Sequence, residues 1–272
     1  MTAGPPTGST AHGDEASRAG LSAAEFDRGW IAAHVAEERR SAALLGDIRE
    51  AIFGAQDGLV STLAVVSTVA GATGDRYTIL VAGIATGLAG VFSMAAGEYL
   101  SSKSQREIFE AQIAGERNEV ENRPGEAHAE VAYMFEADGL PPAEAAQVAE
   151  IVSSHPDVLL RTMVEKELSL HVEEHAGSPL QGALVMGGSF GLGALVPILP
   201  YLVLDVNVAI WASLVATGTV LFTIGAVKAR WTQRSSLRSG LEILVVGAAA
   251  GIVGYFFGNV LPPLLGAPPV GA

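Results

Sequence analysis

Residues 79–100 read ILVAGIATGLAGVFSMAAGEYL, and residues 101–122 continue as SSKSQREIFEAQIAGERNEVEN. In the first stretch Glu98 is the lone Asp, Glu, Lys or Arg. About 20 predominantly apolar residues cross a bilayer as a helix, so 79–100 reads as a membrane span. The second stretch has no strand alternation and no Pro or turn cluster until Pro124, so the helix continues out of the bilayer into water. Four further stretches meet the length requirement: 51–73, 180–204, 206–227 and 241–261. No Asp, Glu, Lys or Arg occurs from Ala176 to Leu204, nor from Ile243 to the end. The expected fold is all-α, a polytopic membrane protein with five transmembrane helices and a three-helix acidic insert between helices two and three.

The composition fits that layout. Of 272 residues 49% are hydrophobic and only 17% charged, with a formal net charge of −13; soluble domains average about 25% charged. The acidity is local. Between Glu107 and Glu174 lie 16 acidic residues against four basic ones, Arg117, Arg123, Arg161 and Lys166, a net of −12. So acidic a chain is a poor nucleic-acid binder, because phosphate contacts need clustered Lys and Arg. The lack of any Cys excludes disulfides, thiolate zinc sites, iron–sulfur ligation and cysteine nucleophiles.

Orientation follows from Lys and Arg in the connections. Arg39, Arg40 and Arg49 precede span one, Lys103 and Arg106 follow span two, and Lys228, Arg230, Arg234 and Arg238 join spans four and five. The links on the opposite side hold Arg76 alone. The N-terminus and the acidic insert are therefore expected in the cytosol and the C-terminus outside. Tyr77, Tyr99, Tyr201 and Trp231 fall near span ends, where interfacial aromatics belong. Gly83 and Gly87, Gly247 and Gly251, and Gly254 and Gly258 have the spacing that lets membrane helices approach closely, which suits a compact bundle and a helix-mediated dimer.

The expected organisation runs in six parts. Residues 1–20 are a disordered Gly/Pro/Ser-rich start; 21–50 form a helix opened by the capping-box pair Ser22 and Glu25 and leading into span one. Residues 51–104 hold spans one and two, 105–177 the acidic domain, 178–262 spans three to five, and 263–272 a short tail. Within the acidic domain Pro124, Pro142 and Pro156 can each open a helix, since Pro is tolerated in a first turn. The last of these helices is expected from Pro156 to His175.

Ionisable groups within spans are expensive and point to function. Asp57 stands near the inner end of span one and Glu98 near the inner end of span two; each is read either as an interfacial carboxylate or as a cation ligand. Met94 lies one turn before Glu98 on the same face, so thioether and carboxylate can meet one desolvating ion. Glu242 reads as interfacial. In the insert Glu116 and Glu119 share a helix face, as do Glu126 and Glu130. Like charges so spaced repel unless a cation binds or protons are retained. Met163 and Glu167 are four apart, with Glu165 beside them and His171 a turn further on. Carboxylates suit hard divalent ions, and thioether or imidazole moves preference toward transition metals. Without Cys, Fe²⁺ or Mn²⁺ therefore fits better than a structural zinc site, against the alternative of a solvated acidic surface. The other five histidines, His12, His34, His128, His155 and His175, read as surface groups. No Glu is followed three positions later by His, which argues against the di-iron carboxylate bundle.

These residues resemble the vacuolar iron transporter family. The likeness lies in Gln56-Asp57-Gly58-Leu59-Val60, in Ser93-Met94-Ala95-Ala96-Gly97-Glu98-Tyr99-Leu100-Ser101, and in Glu116-x-x-Glu119. It continues in the Glu-Leu-Ser-Leu after Met163 and in Gly191-x-Gly193-Ala194-Leu195-Val196-Pro197-x-x-Pro200. The resemblance implies a homodimer, not an enzyme and without a prosthetic group, that moves Fe²⁺ and also Mn²⁺ out of the cytosol in exchange for protons. It implies that Asp57 and Met94 line the path, and that Glu116, Glu119, Glu130, Met163 and Glu167, with Glu126 and Glu165, collect metal. This chain departs from plant-type members, which tend to have Gly at the position of Glu98 and a carboxylate at that of Thr86. The composition suits a bacterial plasma membrane, where the same direction of transport is efflux. Two other classes compete: a membrane metal sensor or store that does not transport, and a proton-coupled organic-cation carrier.

Overall fold

The computed structural model describes residues 27–168, 178–232 and 234–264. The expectations for residues 1–20, for a capping box at Ser22 and Glu25, for His171 and His175, and for residues 265–272 fall outside them. The chain forms two compact units, Met1–Gly46 and Asp47–Ala272. In the first, Asp27 caps the opening turn of helix α1 (Arg28–Thr73) by accepting from the Trp30 amide at 2.9 Å. One turn on, the Trp30 and His34 rings stack with centroids 4.8 Å apart.

The second unit contains the rest of α1, then α2 (Arg76–Asn122), α3 (Pro124–Ala137), α4 (Pro142–Ser153), α5 (Pro156–Lys166), α6 (Pro179–Val203), α7 (Val206–Thr232) and α8 (Ser236–Leu264). Five of these, α1, α2, α6, α7 and α8, are long and apolar enough to cross a membrane. Each of α3, α4 and α5 begins with Pro in its first turn, as the sequence leads one to expect, and α6 does the same at Pro179. Proline costs nothing there because the first-turn N–H groups have no intrahelical acceptor. Two boundaries differ from expectation. α5 ends at Lys166 rather than His175, where Glu165 and Glu167 oppose the negative helix C-terminus. α8 runs through Pro262 and Pro263 to Leu264.

Asp75 starts α2 by accepting from the Thr78 amide at 2.8 Å and its hydroxyl at 2.6 Å. Arg76 next to it donates to the Leu204 carbonyl at 2.6 Å and lies 3.5 Å from Asp205. The α1–α2 and α6–α7 turns are thus tied at one end of the bundle. Below them Val66, Ala70, Ile79, Ile198, Tyr201 and Ala209 form a buried core. Tyr201 is wholly buried in it rather than interfacial, because its ring fills the space where α1, α2, α6 and α7 meet. Tyr77 and Tyr99 are exposed; the Trp231 side chain lies outside the described residues.

Glycine spacing is spent on packing within the chain. A methyl added to Gly58 would collide with the Phe190 carbonyl, and one on Gly193 with the Ala55 carbonyl, so α1 and α6 touch backbone to backbone. Gly254 and Gly258 admit α8 equally closely to Ala64 and Thr68 of α1, where the Thr68 hydroxyl donates to the Gly254 carbonyl at 2.9 Å. Gly83 and Gly87 face Ile198 and Ala194, and Gly247 and Gly251 face Leu221 and Leu63. The three pairs thus serve crossings within the chain, as the compact-bundle reading of their spacing expects. Gly58→Ala is expected to cost about 2 kcal/mol or more, as overpacking against unyielding backbone does. Gly115→Ala, with open space around it, should be neutral or slightly stabilising. Unfolding of the two purified variants in detergent tests the contrast, and equal stabilities would contradict it.

Candidate metal-capture site and membrane path

α2 is 47 residues long, about 70 Å at 1.5 Å per residue. Only about 20 of those residues are needed to cross a bilayer, so one unbroken rod carries Met94 and Glu98 in the span and Glu116 and Glu119 in the insert. The insert has its own core of Ala127, Val131, Ala149, Leu159 and Met163, in which α3 packs on α4 and α5 on α2.

At the end of α2 the chain turns at Arg123. Its amide closes the last turn on the Glu119 carbonyl at 2.7 Å, and its carbonyl accepts from the Glu126 amide at 2.9 Å. This one-residue junction folds α3 so that oxygens of Glu119, Glu126 and Glu130 lie within 4.8 Å of one another. Glu116 Oε2, Glu119 Oε1 and Glu130 Oε2 are buried without a hydrogen-bonding partner. Such oxygens are costly unless a proton or cation meets them. Burial above all, then the charges of Glu167 and Glu119, pushes the Glu116 carboxyl up, and Arg123 partly offsets this. Burial also leads at Glu130, followed by the close side-chain approach and charge of Glu119 and the charges of Glu167 and Glu126. Together they push Glu130 up to about 7.

The structure thus draws Glu116, Glu119, Glu126 and Glu130 together with Glu167, which caps the C-terminus of α5. Met163 is fully buried in the insert core beside Ala127 and Val131, next in sequence to Glu126 and Glu130. Glu165 turns away to pair with Arg161 at 2.9 Å. Lys166 pairs with Asp138 and lies 4.3 Å from the Phe135 ring. His128 bonds Ser153 at 3.1 Å and His155 bonds Ser154 at 2.8 Å.

The raised Glu130 carboxyl gives the metal-free insert a signed pH dependence. The native state holds that proton more tightly than the unfolded chain, so its stabilising contribution is complete below about pH 4.5 and is lost as pH rises through about 7. A divalent ion bound at this carboxylate would have to displace the same proton. Apparent metal affinity is therefore expected to rise by up to about tenfold per pH unit below pH 7, with proton release. Calorimetry in buffers of differing ionisation enthalpy measures both, and a pH-independent affinity would contradict the assignment of Glu130.

In the membrane-spanning part Asp57 is exposed on α1, and Met94 and Glu98 are half-buried one turn apart on α2. Glu98 accepts from the Ser102 hydroxyl at 2.5 Å. The sequence reading missed Glu50. Its Oε2 is buried without a partner, and both Glu50 and Glu98 flank Gly182 of α6, at 3.1 and 3.4 Å from where a Cβ would stand. A polar cavity of about 410 Å³ opens there, lined by Asp47, Arg49, Glu50, Ser102, Gln105 and Gln181 among others. The signal was present, for Glu50 and Asp57 are two helical turns apart on one face. Placing the span start at residue 51 hid it.

Several known proteins are similar in sequence to this chain. Vacuolar iron transporter 1 of Arabidopsis thaliana is 31% identical over 215 residues, covering 79% of this chain and 86% of that protein. Vacuolar iron transporter 2 of Oryza sativa subsp. japonica is 32% identical, covering 75% and 82%. The vacuolar iron transporter of Plasmodium falciparum is 28% identical, covering 79% and 82%. These relatives are transporters, not enzymes. The family model described as VIT family matches residues 48–259, from the polar cavity at the start of the bundle to the last turns of α8. The chain belongs to the VIT family.

Proposed function

We propose that this protein carries Fe²⁺, and also Mn²⁺, out of the cytosol in exchange for protons. The observation that carries the reading is the continuity of α2, which joins the carboxylate cluster of the insert to Met94 and Glu98 in the span. The cluster of Glu116, Glu119, Glu126, Glu130 and Glu167 captures the ion, with the Met163 thioether beneath it. Glu165, neutralised by Arg161, stays outside the ligand set. The ion passes the cavity at Glu50 and Glu98 and reaches Asp57 and Met94, where carboxylate and thioether replace lost water. Protonation of the carboxylates from the outer side releases it.

An exposed Asp57 in an apolar span is expensive in lipid, which supports a homodimer in which that face meets a second copy. The Lys and Arg distribution supports a cytosolic N-terminus and insert, an outside C-terminus and, for a bacterial plasma membrane, efflux. Reconstituted flux under a pH gradient with Fe²⁺, Mn²⁺, Zn²⁺ and Ca²⁺ tests the reading. Metal uptake coupled to proton movement is expected; flux indifferent to Fe²⁺ and Mn²⁺ would overturn it. A sensor or store would bind metal and move none.

A further inference from the structure

The carboxylate cluster already holds a cation of its own. Arg123 donates from Nη2 to Glu119 Oε2 at 2.8 Å and from Nη1 to Glu126 Oε2 at 2.7 Å. One guanidinium thus bridges two helices through two carboxylates of the cluster. Arg161 and Lys166 are engaged with Glu165 and Asp138. We propose that Arg123 is the resident counter-ion of the empty cluster, which an incoming divalent ion must displace, and that it thereby sets the cluster's metal affinity. This rests on the reading of the cluster as the metal-capture site.

The geometry favours displacement over coexistence. While Arg123 holds the outer oxygens of Glu119 and Glu126, a metal ion finds only their inner ones, and the guanidinium repels it. The arginine is placed to leave. Its side chain is 54% exposed, with Glu126 at 48% and Glu119 at 15%, so it covers the cluster from the solvent side. The α2–α3 junction does not depend on the guanidinium, for the hydrogen bonds that shape it come from the Arg123 main chain. Replacing the side chain therefore leaves the fold of the junction in place. An exporter gains from this arrangement: the empty cluster is held together at neutral pH, and the ion is bound weakly enough to be passed on.

The test is calorimetric titration of the full chain in detergent with Mn²⁺ at pH 7.5 and low salt. The variants are Arg123→Gln, Arg123→Lys and the pair Glu119→Gln with Glu130→Gln. Exposed ion pairs are individually weak, so losing two of them should tighten Mn²⁺ binding by about fivefold in Arg123→Gln. Arg123→Lys keeps the charge and should stay near the parent value. High salt should shrink the difference, since it screens the exposed guanidinium. If Arg123 instead merely positions the ligands, both variants bind more weakly, and that result overturns the proposal, as does an unchanged affinity in Arg123→Gln. Loss of binding in the Glu119→Gln, Glu130→Gln protein is expected. If that protein binds Mn²⁺ as the parent does, the capture site itself is misplaced and the role of Arg123 falls with it.

Discussion

Asp57→Ala and Met94→Ala are each expected to cut Fe²⁺-driven proton movement in proteoliposomes by roughly 100-fold or more. Loss of even an outer-shell partner of a bound metal costs about 10- to 100-fold, and these two are proposed as direct ligands. The physical reason is dehydration. An ion crossing the apolar length of α1 and α2 gives up water that lipid-facing Leu, Val and Ala cannot replace. Asp57 supplies charge and a group that exchanges protons; Met94 supplies a polarisable sulfur that favours transition metals over Ca²⁺ or Mg²⁺. The shape-matched Asp57→Asn and Met94→Leu should fail as fully as the alanines if charge and sulfur matter rather than packing. Full flux in Asp57→Ala and Met94→Ala would remove both residues from the path.

The second large effect concerns capture. Replacing Glu116, Glu119, Glu130 and Glu167 together by Gln is expected to abolish high-affinity metal binding by the insert. The apparent affinity for transport should weaken by about 10- to 100-fold while the maximal flux persists, because the membrane path is untouched. Stability should move the other way. Glutamine amides can donate to the buried oxygens of the cluster and carry no charge, so the metal-free variant should melt at a higher temperature than the parent at pH 8. Weaker binding with higher stability separates a lost ligand set from a damaged fold. Zero flux in both parent and variant would favour the sensor or store.

Much of this was legible along the chain because the relevant forces are local. Pro124, Pro142 and Pro156 each open a helix, since a missing N–H costs nothing in a first turn and much in the interior. The spacing of Glu116 and Glu119, and of Glu126 and Glu130, placed each pair on one face. It could not say that the two faces meet, because that depends on the direction of the chain through Arg123. Nor could it separate Glu167, whose charge reaches Glu116 and Glu130, from Glu165, two positions earlier and paired with Arg161. Tyr201 was misread for a similar reason. An aromatic at a span end suits an interface until four helices converge around it.

Five apolar lengths, the Lys and Arg asymmetry, the acidic segment and the order of its motifs are properties of one dimension, and the amino-acid sequence was enough to establish them. Packing determined the rest: the crossing of α1 and α6 at Gly58 and Gly193, the approach of Glu50 and Glu98 to Gly182, and the grip of one arginine on two glutamates. Each joins residues distant in the chain or separated by a turn, where helix periodicity carries no information. Their energies come from backbone contact and from oxygens left without partners, which exist only once the helices are assembled.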